Sequence, residues 1–259
     1  MSGSSAEPWV VTTPRKRFDL NAKAEETAAR LNLRFAVRGD NSVDKLLESM
    51  NAKGLYVETD GAPLIQTSEG AFRFHENTSG QRTKNPGATD ALLRALEPRP
   101  SDNVLDATLG IACDALVIAT ALTGGGKLVG LESCPILADM TRRGIESCDI
   151  KAANIREASR RIHVVSADHS EYMRRANDGE FDLVYFDPMF PETVAGSAAM
   201  RRMRAVADER PLSAESIDQA IRIAARRVVV KGRRGYFNDI HFSKIIESGR
   251  SIYYGVIEV

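Results

Sequence analysis

The chain has 259 residues, room for one large α/β domain or for such a domain with a small companion. It is 43% hydrophobic and 27% charged, which suits a globular protein with a full core, and Lys plus Arg equals Asp plus Glu at 35 each, so any surface for a polyanion has to be local. No apolar run approaches the roughly 18 residues that span a bilayer, and the opening MSGSSAEPWVV lacks the pattern of a secretory signal. Cys113, Cys134 and Cys148 form no CxxC pair, which argues against a disulfide framework or zinc site and suits a reducing cytoplasm.

In chain order, residues 1–80 read as a small α/β domain. WVVTT is a short strand, and residues 20–32 form a helix with Asp19 or Asn21 as its cap. LRFAVR is a strand, SVDKLLESM a helix, and GLYVET with PLIQT a pair of strands around the turn DGAP. Residues 76–89, ENTSGQRTKNPGAT, are polar and turn-rich and read as a loop at the domain boundary.

From there to the end, residues 81–259, helices and strands alternate. TDALLRALE is a helix capped by Thr89 or Asp90, NVLDATLG a strand running into a glycine turn, and CDALVIATALT an apolar helix. KLVGLE is the second strand, and residues 135–148 form a helix that can extend into the polar stretch beyond. RIHVVSAD, FDLVYFDP and RRVVVKG are the third, fourth and fifth strands. Continuous Val/Ile/Leu strands between helices imply a parallel sheet covered on both faces. HFSKIIESGRSIYYGVIEV reads as a hairpin turning at Ser248–Gly249, which brings the sheet to seven strands.

The strand ends carry the chemistry. In DATLGIACD a strand ends at Asp106, Gly110 allows a tight turn, and a helix begins around Asp114; such a turn aims free backbone N–H groups above the sheet, where open α/β sheets bind ligands. Glu132, ending KLVGLE, can accept from both ribose hydroxyls of a nucleoside. The turn separates the possible nucleosides. A dinucleotide site wants G-x-G-x-x-G, whereas Gly110 is followed by Ile111, Ala112 and Cys113; S-adenosylmethionine (SAM) has no pyrophosphate to accommodate. Asp168 ends the third strand, either to accept from an adenine amino group or to cap the next helix. TGGGK fails as a phosphate loop, because Ala121 and Leu128 stand where Gly and Ser or Thr are needed, and reads as a helix cap and loop. The histidines His75, His163, His169 and His241 have no metal-ligand spacing, and no G-x-S-x-G elbow is present.

YFDPMFP follows the fourth strand. Asp187 with a nearby backbone carbonyl can accept both N–H groups of a planar exocyclic amine, Pro188 fixes the next backbone angle, and Phe190 can stack on a base. Such a site gains rate mainly by positioning.

The ordered set DATLG…D, GLE, AD and FDPMFP resembles class I SAM-dependent methyltransferases over about residues 85–259. More narrowly, DPMFP with DAT-G---DA, followed by RVVVK, resembles the bacterial family that methylates the N2 amine of a guanine in small-subunit ribosomal RNA. The resemblance implies a Rossmann-like seven-stranded fold, SAM as methyl donor, RNA as partner and no metal. It places Cys113, Asp114, Glu132, Ser133, Asp168, His169 and Asp187 where that family contacts the cofactor. Where that family tends to carry GLGRD this chain has GIACD, so Cys113 stands in place of an arginine. Arg201, Arg202 and Arg204 in AAMRRMRAV, and Lys231, Arg233 and Arg234 in KGRRGYF, are candidate RNA contacts on the catalytic rim, or else solvated faces. Three other readings stay open: an N-methyltransferase for DNA or a protein amide, a catalytically silent module that binds cofactor or RNA, and an NAD oxidoreductase, which the missing second glycine disfavours.

Overall fold

The computed structural model describes residues 9–83, 90–147, 150–189, 198–233, 240–249 and 251–259. Its contacts divide the described chain into two units. One runs to Phe74 and takes in the segment ending at Val206; the other starts at His75 and resumes at Ala207.

In the N-terminal unit, β1 (Trp9–Thr12), α1 (Asn21–Leu31), β2 (Arg34–Phe35), α2 (Val43–Met50), β3 (Gly54–Val57), β4 (Leu64–Thr67) and β5 (Gly70–Phe72) build a five-stranded sheet of order β2-β1-β3-β4-β5. β1 runs parallel to both its neighbours, and β3, β4 and β5 form an antiparallel meander. Val10, Leu46, Leu55 and Val57 make its core. Gly54 admits the Trp9 ring, since a Cβ there would lie 2.1 Å from it. Ser42 caps α2 by accepting from the Lys45 N–H at 3.2 Å. α1 starts otherwise than its sequence predicts. A 3-10 turn at Phe18–Leu20 leads straight into it, neither Asp19 nor Asn21 caps it, and the Asp19 carboxylate is held by Arg17 at 2.6 Å instead. The strand expected over LRFAVR shrinks to two residues.

The second unit and its insertion follow as α3 (Asn77–Arg82), α4 (Ala91–Leu96), β6 (Asn103–Asp106), α5 (Cys113–Ala119), β7 (Lys127–Glu132), α6 (Pro135–Glu146), α7 (Ala153–Ser159), β8 (Ile162–Ser166), α8 (His169–Arg175), β9 (Phe181–Phe186), α9 (Ala198–Arg204), α10 (Ala214–Ile223), β10 (Ala224–Arg233), β11 (Lys244–Ser248) and β12 (Ile252–Glu258). The sheet has the order β11-β12-β10-β9-β6-β7-β8. β10, β9, β6, β7 and β8 are parallel, and β12 and β11 add an antiparallel hairpin turning through Gly249 at φ 70°. This is the Rossmann-like seven-stranded architecture that the strand pattern implies. Alternate residues of the central strands, among them Leu105, Val184, Phe186, Val228 and Val230, pack with Met173 of α8 and with Ile217 and Ile223 of α10. By the alternation of strand side chains, Tyr185 and Val229 project to the opposite face.

Three local expectations change. The stretch read as a loop holds a helical turn and a half, α3, with residues 84–89 outside the described residues. α6 stops at Glu146 because Ser147 turns extended, and the polar stretch beyond forms a separate helix, α7. The glycines of TGGGK fall in the loop after α5, whose C-cap is Thr120; the Gly124 and Gly126 N–H groups both donate to the Pro100 carbonyl.

Asp90 caps α4, its Oδ1 accepting from the N–H groups of Leu92 at 3.0 Å and Leu93 at 3.3 Å. Asp90→Ala is expected to lower the unfolding free energy by about 1–2 kcal/mol, measured as a fall in urea midpoint at unchanged slope.

Candidate active site

The chain leaves β6 toward β7 and β8 on one side and returns through β9 on the other. β6 and β9 are therefore neighbours whose connections diverge, and a crevice opens outside their carboxyl ends. Asp106 ends β6, and Asp187 follows the last residue of β9.

The glycine turn after β6 folds down over the strand ends. The Ala107 N–H donates to the Tyr185 carbonyl at 2.9 Å, Thr108 N–H to Asp106 Oδ1 at 3.1 Å, and Leu109 N–H to the Leu131 carbonyl at 2.8 Å. The Gly110 N–H donates to Glu132 Oε2 at 3.1 Å, and the Gly110 carbonyl accepts from the Thr141 hydroxyl. These four donors are consumed within the protein. Gly110 takes φ 54°, a conformation that favours glycine, and Gly130 of β7 leaves the room Leu109 fills: a Cβ at Gly130 would lie 2.5 Å from it.

Glu132 is 7% exposed. Its Oε2 takes the Gly110 N–H and its Oε1 the Cys134 N–H at 2.8 Å. Burial pushes its carboxyl up to about 7, with those backbone donors opposing the rise. Ser133 follows it, half-buried. On the neighbouring strand, Ser166 of β8 is in register with Glu132, which brings Asp168 and His169 to the same end of the sheet. Asp168 caps α8 by accepting from the Glu171 N–H at 3.1 Å and pairs with Arg210 at 2.5 Å. Burial works against its ionisation, but the Arg210 hydrogen bond wins and holds its carboxyl below the usual range. His169 meets the Phe186 ring edge-on at 5.8 Å, and burial lowers its pKa. Cys113 opens α5; burial pushes its thiol up to about 11.

Asp187 stands at the open end of a buried ion cluster. Its N–H donates to the Thr108 hydroxyl at 2.6 Å, and its Oδ2 accepts from Lys231 Nζ at 2.7 Å. Among the described residues no hydrogen bond reaches its Oδ1. Lys231 also donates to Asp114 Oδ2 at 3.1 Å. Asp114 further accepts from the Tyr185 hydroxyl at 2.7 Å and from Arg82, and Arg82 continues to Asp90 at 2.9 Å. The cluster opens toward Asp187: the Asp114 side chain is 9% exposed and the Asp187 side chain 31%. Burial raises the Asp187 carboxyl to about 6; Lys231 opposes this and Asp114 adds to it. For Asp114 burial is outweighed by Lys231 and Arg82, which bring it down to about 2. Asp106, 1% exposed, is pushed by burial up to about 8.

The structure thus brings Asp106, Gly110, Cys113, Glu132, Ser133, Asp168, His169 and Asp187 to one end of the sheet. Asp114, which the resemblance gives to the cofactor, has both carboxylate oxygens engaged inside the cluster. Pro188 is buried and Met189 half-buried, while Phe190 and Arg234 lie outside the described residues. Arg233 is exposed at the end of β10. α9, with Arg201 and Arg202, belongs by its contacts to the N-terminal unit, not the catalytic one: Arg201 pairs with Glu69 at 3.6 Å, and Arg202 donates to the Ala71 carbonyl at 3.2 Å. Sequence reasoning missed Thr108, Tyr185 and Arg82, and read Lys231 only as a rim cation. The signal for Lys231 was present, since parallel pairing of the fourth and fifth strands sets their terminal residues side by side. Arg82 had none, lying in a stretch read as loop. Among the described residues no group of His, Cys, Asp and Glu is placed to hold a metal ion, and no helix is long and apolar enough to cross a membrane.

Comparison with known proteins agrees with this geometry. The family profile described as "Putative SAM-dependent methyltransferase" matches residues 30–244. An uncharacterized protein of Bacillus subtilis, YpiP, is 30% identical over 254 residues, covering 96% of this chain and 99% of its own. Proteins named ribosomal RNA small subunit methyltransferase J are more distant. The one from Thioalkalivibrio sulfidiphilus is 26% identical, with 82% of this chain and 83% of its own covered, and the one from Pseudomonas aeruginosa PAO1 is 29% identical, with 83% and 82% covered. In structure, a SAM-dependent methyltransferase from Neisseria gonorrhoeae superposes with a TM-score of 0.66 at 17% identity, over 96% of this chain and 95% of its own, which shows the shared fold.

Proposed function

The chain belongs to the SAM-dependent methyltransferase family, and from that premise we propose that it methylates an exocyclic base amine in RNA, the N2 of a guanine in small-subunit ribosomal RNA. The observation that carries this reading is Asp187: fixed through its N–H and its Oδ2, half-exposed at the sheet's switch point, and with no hydrogen bond to its Oδ1 among the described residues. Two further observations support the RNA substrate. Relatives covering over four-fifths of the chain are named as ribosomal RNA small subunit methyltransferases, and the DPMFP stretch resembles that of the guanine-N2 family.

The residues present fit the cofactor. Glu132 Oε2 accepts the Gly110 N–H and Oε1 the Cys134 N–H, with the Ser133 N–H also turned toward the carboxylate; a carboxylate offers about four acceptor sites, so capacity remains for a ribose hydroxyl. When bound, SAM supplies an electrophilic methyl group. Asp187 Oδ1 and the carbonyl of Pro188 or Met189 would accept the two amine N–H groups and turn the nitrogen lone pair toward that methyl. The Asp187 carboxylate is then the nearest acceptor for the proton the nitrogen sheds, and with a carboxyl pKa near 6 it is suited to take it. Nucleoside mass spectrometry of small-subunit ribosomal RNA tests the assignment: a deletion strain should lack an N2-methylguanosine that complementation restores. An unchanged nucleoside profile would refute it.

Arg202 and Arg233 are assigned to the RNA backbone. Replacing both by Ala is expected to weaken RNA binding and to make log K against log salt shallower by about 1.4, the counterions released by two single-strand phosphate contacts. SAM affinity should not change. Equal salt slopes for parent and variant would leave Arg202 with its contact to β5 and Arg233 on a solvated face.

A further inference from the structure

We infer that Lys231 is the positioning residue for Asp187, fixing one carboxylate oxygen so that the other is presented to the amine in its ionised, accepting form. The inference rests on the reading of Asp187 given above. It starts from strand register. Val230 of β10 is paired with Phe186 of β9, so the next residues, Lys231 and Asp187, leave the sheet side by side, on the face to which Tyr185 projects. Lys231 donates to Asp187 Oδ2 at 2.7 Å and to Asp114 Oδ2 at 3.1 Å, and Asp114 is itself held by the Tyr185 hydroxyl and by Arg82. A long, flexible lysine chain is thereby tied down at its charged end, and its restraint passes to Asp187.

A buried ion pair is weak evidence of a contribution to stability, because desolvation offsets much of the attraction. The gradient of exposure also argues for more than a strut. The side chains of Asp114, Lys231 and Asp187 are 9%, 21% and 31% exposed, and Arg82 on the far side of Asp114 is 25% exposed, so the cluster is most open at the carboxylate that faces the crevice.

The groups that face Asp187 divide by sign. Asp114 from α5 and Asp106 from β6 are carboxylates; Tyr185 from β9 and Tyr254 from β12 contribute phenols whose own ionisation is suppressed by burial. Lys231 from β10 is the cation in direct contact, and Arg82 from α3 acts one step back, through Asp114. Burial and Asp114 favour the protonated carboxyl, and Lys231 opposes them. A protonated Asp187 would present an O–H where the amine needs an acceptor, so methyl transfer in the parent should rise with pH through about 6 and level off above it.

The test is the pH profile of single-turnover methyl transfer to RNA, with SAM affinity measured separately. In Lys231→Met the midpoint should move up by at least about one pH unit, so that the rate at pH 7 falls about twofold or more and recovers toward pH 9. Lys231→Arg should keep the parental midpoint. Asp114→Asn removes a facing carboxylate and should move the midpoint down, a shift of opposite sign that general loosening does not produce. A Lys231→Met protein that folds, binds SAM and keeps the parental midpoint would overturn the inference. Should that variant not fold, an unmoved or raised midpoint in Asp114→Asn would overturn it. The reading of Asp187 fails separately, if Asp187→Asn transfers methyl at the parental rate.

Discussion

Asp187→Ala should abolish methyl transfer while leaving the fold and most of the SAM affinity in place. Its backbone is held by the Thr108 hydroxyl at the end of a central parallel strand, so truncation of the side chain does not release the turn. What disappears is the acceptor that orients the amine. Misplacement of a reacting atom by about 1 Å costs roughly 100-fold in rate, and loss of the acceptor in the variant should cost at least that. Lys231 is left with Asp114 as its remaining carboxylate, which keeps its charge paired and limits the damage to stability. Single-turnover transfer of labelled methyl, with SAM binding followed by calorimetry, separates the two effects. A parental rate would reduce YFDPMFP to a turn. Phe190→Ala, by contrast, should act on the base alone, through lost stacking of roughly 1–3 kcal/mol.

The second large effect is expected at Glu132. Glu132→Ala removes the acceptor for a ribose diol and should weaken SAM binding by roughly 1–3 kcal/mol, about 5- to 150-fold in dissociation constant. NAD should bind neither protein. The same carboxyl has a stability signature with a definite sign. Burial raises its folded-state pKa from 4.5 to about 7, so between those values the folded chain holds the proton that the unfolded chain releases. Its contribution is therefore full below pH 4.5 and is lost as pH rises to 7. Without ligand, Glu132→Ala should flatten this fall in stability between pH 5 and 7. A folded variant with the parental dissociation constant would remove Glu132 from the ribose role.

Much of the catalytic unit was legible because its strands are continuous Val, Ile and Leu runs that read alike whatever surrounds them. NVLD, KLVGLE, FDLVYF and RRVVVK announce buried parallel strands, and acids at their ends mark the crevice. Of the two caps offered for α4, Thr89 and Asp90, the structure uses Asp90, while the Ser42 cap of α2 went unnamed. What failed was settled by competing partners, from two residues away to more than a hundred. Asp19 was drawn off its helix by Arg17, and Gly110 gave its N–H to Glu132 rather than to a ligand. The ion cluster is the strongest case. Asp114 meets Arg82 across 32 positions and Lys231 across 117, and no local pattern encodes such pairings. The arginines of α9 likewise gave no sign that their helix packs on β5 of the N-terminal sheet rather than on the catalytic unit.

The most direct measurement is transfer of labelled methyl from SAM, by the purified protein, to small ribosomal subunits from cells lacking it, followed by digestion to nucleosides. The label should appear in N2-methylguanosine, at a level that Asp187→Ala reduces to background. Label in a different nucleoside, label only in ribosomal protein, or equal transfer by Asp187→Ala would contradict the assignment of Asp187 to a guanine amine.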